Sequence, residues 1–275
     1  MKALFHLLIL ILGLATLLPT HGADADKGSP VTFPAGLKHE PWDALLKKYV
    51  NEQGLVAYET WKNNPTDLKA LDDYLGKFAA KGEAAKGDDL GASGINAYNA
   101  FAIRRIISNY PTESIQGIKG VFSQKVMDIG GQKVALDDIE HGTMRPLLGY
   151  RAHATLVCCA RSCPPLQRSA YRAADLDRQI TTAYNSWLAR DDMNQYDPSK
   201  NRVEISSIFK WFKTDFDKAG GVEKILGRCG PPKLQTFLAK GGYKIDYKKY
   251  NWGLNDQGGH GKNFTSFDLY LNKIF

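Results

Sequence analysis

Apolar positions recur at helical spacing along much of this chain. In His39–Val50, HEPWDALLKKYV, residues Trp42, Leu45, Leu46 and Tyr49 share one face and Pro41 suits a first turn. A turn at Gly54 and a short extended piece follow. Pro65 then opens a second predicted helix with the stripe Leu68, Leu71, Leu75 and Phe78. Residues 79–91, with Gly82, Gly87 and Asp88-Asp89, read as a loop. The run SGINAYNAFAIRRIISNYP predicts a strong helix, capped by Ser93 and ended by Pro111. Asn96 and Asn99 lie three apart, so they share a helical face in apolar surroundings. A buried amide needs partners, so each either ties down a neighbouring loop or points into a site.

Beyond Thr112 the pattern is more broken. Gly130-Gly131 marks a hairpin, and Leu136–Leu148 predicts a helix containing Glu140, His141 and Arg145. Arg151–Cys159, RAHATLVCC, reads as a buried strand. Ser169–Leu188 is helix-like, and Asp197-Pro198 marks a turn before the extended Arg202–Ile205. SSIFKWFKTDF reads as an amphipathic helix with Ile208, Trp211 and Phe212 inward. Short helices over Gly220–Gly227 and Lys233–Lys240 precede an aromatic tail. These elements predict a helix-rich α+β protein: one globular domain over residues 37–255, with a small sheet. A flexible leader over 24–36 precedes it and a tail over 256–275 follows. The chemistry falls between the Leu136–Leu148 helix and the Arg151–Cys159 strand.

Residues 1–23 depart from this pattern. Lys2 precedes an apolar run from Ala3 to Leu18, and Pro19 and small or polar residues follow. That is the layout of a secretory signal peptide, with a cut expected after Gly22 or Ala23; an uncleaved anchor is the alternative. The chain is therefore expected to be exported, periplasmic or extracellular after cleavage. The formal charge of +7 is scattered, as at Lys47, Lys48, Arg104, Arg105, Lys248 and Lys249. Such a charge either forms an ordinary solvated face or supports peripheral contact with an anionic envelope, and no nucleic-acid motif is present. Four cysteines are too few for a disulfide scaffold, so the core should hold the fold together.

Three of those cysteines, Cys158, Cys159 and Cys163, lie close in sequence to Glu140, His141, Arg145 and His153. A cysteine becomes nucleophilic when a histidine, a cation or a helix start stabilises its thiolate. Strand alternation would put His153 on the face of Cys159 and turn Cys158 into the core. Cys163, before two prolines, would then be the reactive thiol, with Cys158 the alternative. His153 would act as base, with Glu140 or an asparagine orienting it. Glu140 and His141 are neighbours on a helix, so they point about 100° apart and need not act as a pair.

Several of these stretches also resemble the domain-of-unknown-function 547 family: INAYNA at Ile95–Ala100, LDDIEH at Leu136–His141, VCCARSCPPL at Val157–Leu166, SSIFKWFKTDF, and the late YNWGLN. They run in order over Trp42–Asn255. The resemblance puts the family's Glu-His pair on Glu140 and His141, its later arginine on Arg145, its strand histidine on His153, and its cysteines on Cys158 and Cys163. The chain departs from the pattern at Gly94, usually a tryptophan, at Cys159, usually a small residue, and at Cys229, which has no counterpart.

Two readings stand. In the first, Cys163 (or Cys158), His153, Glu140 and His141 form the site of a thiol-dependent hydrolase or acyl transferase. It would act on amide or ester bonds of a small-molecule or peptide substrate without a cofactor, with Asn96, Asn99 and Arg145 as binding residues. In the second, the same residues form a buried polar network or a disulfide in a non-catalytic envelope binding or scaffold module. That disulfide would join Cys158 to Cys163, or the cluster to Cys229. A zinc site from His141, His153, Cys158 and Cys163 has suitable ligand types but lacks the tight pair spacing, so no metal is expected. Cys-x4-Cys is likewise not the redox Cys-x-x-Cys.

Overall fold

The computed structural model describes residues 28–264. Residues 1–23, expected from sequence to be a signal peptide, lie outside the described residues, as do 24–27 and 265–275. Helix α1 (Glu40–Tyr49) has Pro41 in its first turn and Lys47 and Lys48 in its last, and buries the expected face. Helices α2 (Tyr58–Lys62) and α3 (Pro65–Gly76) follow, and the Asn64 side chain caps α3 by accepting from Asp67 N–H. Trp42 stacks between Trp61 and Tyr74, at centroid distances of 6.2 and 5.9 Å, and locks the three helices together.

The centre of the molecule is α4 (Gly87–Asn109), 23 residues long and buried nearly all round from Gly91 to Ala100. It begins six residues before the Ser93 cap expected from sequence, and Ser93 is buried inside it. Gly91, expected to end a loop, and Gly94, expected in the helix, both serve close packing. A Cβ at Gly91 would meet Leu176 Cδ2 at 2.6 Å, and one at Gly94 would overlap the Met144 side chain. Met144 thus fills the space that a side chain at position 94 would take.

Strands β1 (Met127–Ile129) and β2 (Gln132–Val134) form the expected hairpin across Gly130-Gly131. Then α5 (Leu136–Ile139), a π turn (Glu140–Met144) and α6 (Arg145–Leu148) make one continuous helical run. Pro146 has no N–H for the carbonyl four residues back, and its ring crowds that carbonyl, so the run widens there. The segment expected as a strand is not one. Gly149–Ala154 is a 3-10 turn, and Thr155 N–H, Thr155 Oγ1 and Leu156 N–H all return to the Ala152 carbonyl. In place of a neighbouring strand, Asn99 accepts from Val157 N–H and donates to Thr155 O. One amide supplies both bonds of a ladder, so RAHATLVCC is buried without being extended.

Helix α7 (Leu176–Leu188) covers this region. The second sheet takes β3 (Gln195–Asp197) antiparallel to β4 (Arg202–Ile205). Helices α8 (Ile208–Trp211), α9 (Lys213–Lys218), α10 (Val222–Cys229) and α11 (Pro232–Leu238) lead to β5 (Lys244–Tyr247), which pairs parallel with β4. Residues 250–256 then return across the body, with bridges from Leu254 to Ala160, Gly253 to Ser114 and Asp256 to Val56.

The described part of the expected flexible leader, residues 28–36, is packed. Ser29 N–H donates to Asp138, Val31 N–H donates to Thr143 Oγ1, and Phe33 is fully buried. It lies backbone to backbone on Gly142 of the π turn, where a Cβ would overlap the Ser29 carbonyl. Among the described residues no helix is long and apolar enough to cross a membrane.

Candidate functional site

A narrow cavity of about 50 Å³ collects most of the chemistry-bearing residues. Helix α4 presents Tyr98, the π turn Glu140, the 3-10 turn His153, and the following loop Cys158 and Cys163. Ile208, Trp211 and Phe212 from α8 and its end, with Tyr250 and Trp252 from the returning strand, close the far wall.

Cys158 and Cys163 are joined by a disulfide, their Cα atoms 6.4 Å apart. The two sulfurs are not equivalent. Cys158 is half-buried, whereas Cys163 is buried and its sulfur accepts from Cys158 N–H at 3.2 Å and Tyr250 Oη at 3.1 Å. Tyr250 Oη reaches the Cys158 sulfur at 3.5 Å. Side chains do not alternate between two faces here, as a strand would require, because the segment is helical and then irregular. His153 and Cys158 both line the cavity, while Cys159 has a left-handed φ of 60° and is buried elsewhere. Burial pushes the Cys159 thiol up to about 12, so it is inert at neutral pH. Cys229 is buried too, and burial also raises its thiol.

His153 is oriented not by Glu140, as the sequence suggested, but by Asp215 of α9, whose Oδ2 accepts from Nε2 at 2.9 Å. The ring is wedged against Phe212, with centroids 4.1 Å apart. The same Asp215 oxygen accepts from Arg145 Nε at 2.7 Å. Burial alone would raise the Asp215 carboxyl, but the hydrogen bonds from His153 and Arg145 override it and hold the group well below the usual carboxylate range. Burial lowers the His153 pKa against the pull of Asp215, so the imidazole is neutral. With Nε2–H on Asp215, its lone pair sits on Nδ1, for which no hydrogen-bond partner is found among the described residues.

Glu140 takes a hydrogen bond from Tyr98 Oη at 3.0 Å and lines the cavity. His141 turns away, as neighbouring helical positions require, and its Nδ1 accepts from Arg145 Nη1 at 2.8 Å. Arg145 also stacks on Phe212, its Cζ 4.8 Å from the ring centroid. Arg145 is therefore tied to Asp215, His141 and Phe212 and does not line the cavity. Asn96 and Asn99 are outside it as well. Asn96 clamps the backbone of Tyr171 in both directions, as Asn99 clamps 155 and 157. They hold loops rather than a ligand. The zinc ligand set does not assemble either. The two sulfurs are joined to each other, His141 faces Arg145, and no group of three or more ligands is found among the described residues.

Sequence reasoning did not single out Asp215, Tyr98, Trp211, Tyr250 or Trp252 as site residues. The signal was present, since each lies in INAYNA, SSIFKWFKTDF or YNWGLN, the stretches that carried the resemblance. Only packing shows which residue of each stretch faces the cavity.

The family model described as "Protein of unknown function, DUF547" matches residues 88–188, which hold α4, the π turn, His153 and both bridged cysteines. Neither a curated protein nor a solved structure matches the chain.

Proposed function

We propose that this chain, which carries a DUF547 domain over residues 88–188, is an exported thiol-dependent enzyme of acyl transfer whose resting state is the Cys158–Cys163 disulfide. The observation that carries the reading is the meeting of the two sulfurs, the Asp215-oriented His153 and Glu140 in one cavity. A dithiol reductant opens the bridge, and its own two thiols become a disulfide as the two cysteine thiols form. Cys163 is then the nucleophile, because Cys158 N–H and Tyr250 Oη both aim at its sulfur and stabilise the thiolate. His153 Nδ1 takes the thiol proton, the thiolate attacks the carbonyl of an amide or ester, and the proton passes to the departing amine or alcohol. Water releases the acyl group from the thioester, and an amine or alcohol in its place makes the reaction a transfer. Asp215 keeps the imidazole in the tautomer this requires.

Alkylation with iodoacetamide near neutral pH, located by mass spectrometry, tests the reading. After mild reduction of the folded protein, Cys163 should react rapidly, and Tyr250→Phe should slow it several-fold. His153→Ala should abolish its sigmoid pH profile while the fold is retained. Reaction of Cys158 and Cys163 only on unfolding, even after reduction, would refute it. That result belongs to the second reading, a non-catalytic envelope module braced by the closed disulfide and the Asn96 and Asn99 clamps.

A further inference from the structure

We infer that the cavity receives an ammonium group, held by the Glu140 carboxylate within a wall of aromatic rings. The inference rests on the acyl-transfer reading only in naming part of that enzyme's substrate. The binding itself is independent of turnover.

Charge is the first ground. Arg145 and Asp215 neutralise each other at 2.7 Å, and both side chains are 9% exposed. Beside them Glu140 has a hydrogen bond from an uncharged hydroxyl, Tyr98 Oη, and no ion-pair partner is found among the described residues. The cavity is left with one unbalanced negative charge in an apolar wall. A cation entering the cavity meets this carboxylate without having to displace a charged partner.

The wall is the second ground. Trp211 and Trp252 stack at 5.8 Å and 15°, and Tyr250 tilts against both at 4.7 and 4.6 Å. With Tyr98 and Phe212 they line the cavity around Glu140. Ring faces are electron-rich and attract cations, and boxes of such rings suit ammonium groups. One of these rings already carries a cation, since Arg145 sits over Phe212. The side formed by Glu140, Trp211, Tyr250 and Trp252 is half-exposed, so a ligand can enter there. A cavity of about 50 Å³ admits a small head group rather than a whole residue. A lysine side chain of a peptide and a free alkylamine both present that head.

The test titrates oxidised protein, without reductant, with n-propylammonium, with n-propanol as the uncharged isostere, and with lysyl and norleucyl tripeptides. Tryptophan fluorescence and the indole N–H signals report binding. Propylammonium should bind saturably and at least about tenfold more tightly than propanol, a comparison that needs no variant. Glu140→Gln, which still accepts from Tyr98, should remove most of that preference, and Trp252→Leu should weaken the ammonium as well. The lysyl peptide should exceed the norleucyl peptide in the same way, and its order against propylammonium assigns the source. Equal binding of propanol and propylammonium, or a Glu140→Gln protein that binds ammonium unchanged, overturns the inference. Because no turnover is read, either result leaves the thiol-enzyme reading to its own alkylation test.

Discussion

Replacing Asp215 by asparagine isolates the interaction that organises the site. Asp215 is 7% exposed, and one of its oxygens accepts from both Arg145 Nε and His153 Nε2. Asparagine is nearly the same shape, but it removes the negative charge and leaves the Arg145 guanidinium buried without a counterion. Breaking a buried pair from one side costs about 3–5 kcal/mol, and the acceptor oxygen that asparagine retains puts this case near the lower end. At about 2–4 °C per kcal/mol, the melting temperature should fall by roughly 6–12 °C. The assay is urea unfolding of wild type, Asp215→Asn, Arg145→Met and the double variant. If the cost is the stranded guanidinium, the double variant should recover at least about 1 kcal/mol relative to the sum of the singles. His153 should also lose the partner that resists its lowered pKa, and NMR titration should find it lower still. A single variant within about 0.5 kcal/mol of wild type, or strict additivity in the cycle, would refute the buried-pair account.

Three further outcomes follow from the geometry. His39 and His153 have pKa values lowered from 6.5, in each case first by burial. The unfolded chain therefore takes up protons before the folded one as pH falls below about 6.5; stability is full above that value and declines beneath it until the folded pKa values are passed. Urea midpoints between about pH 5 and 8 should show this slope, and His153→Gln should flatten it. Gly142→Ala should cost about 1–3 kcal/mol, because its Cβ overlaps the Ser29 carbonyl, and should expose residues 28–36 to limited proteolysis; unchanged proteolysis would remove the leader from its role as a brace. Asn99→Ala leaves Thr155 O and Val157 N–H unpaired in a buried setting, so it should cost about 1–3 kcal/mol and speed reduction of the disulfide by dithiothreitol. An unchanged reduction rate would separate that clamp from the cysteine loop.

The periodic elements were legible in the chain by itself. The faces of α1 and α3, the Gly130-Gly131 hairpin and the extended Arg202–Ile205 follow from local spacing and turn chemistry, which act over a few residues. The neighbourhood of the site was legible too, because Glu140, His153, Cys158 and Cys163 are of reactive types and fall in one window. The helical spacing of Glu140 and His141 also foretold that they would face different ways. What the chain alone did not decide was partnership. Arg151–Cys159 reads as a strand by composition, yet it is a 3-10 turn followed by irregular backbone that the Asn99 amide satisfies, so the side-chain alternation used to sort the cysteines never arises. Gly91 reads as the end of a loop because a glycine signals flexibility locally, whereas here it lies inside α4 and admits a side chain from a distant segment. Asp215 reaches His153 across 62 positions of sequence, and Tyr250 reaches Cys163 across 87. Local propensity carries no information at such separations. Burial and the need to pair every buried polar group select those contacts only once the whole chain has closed around α4.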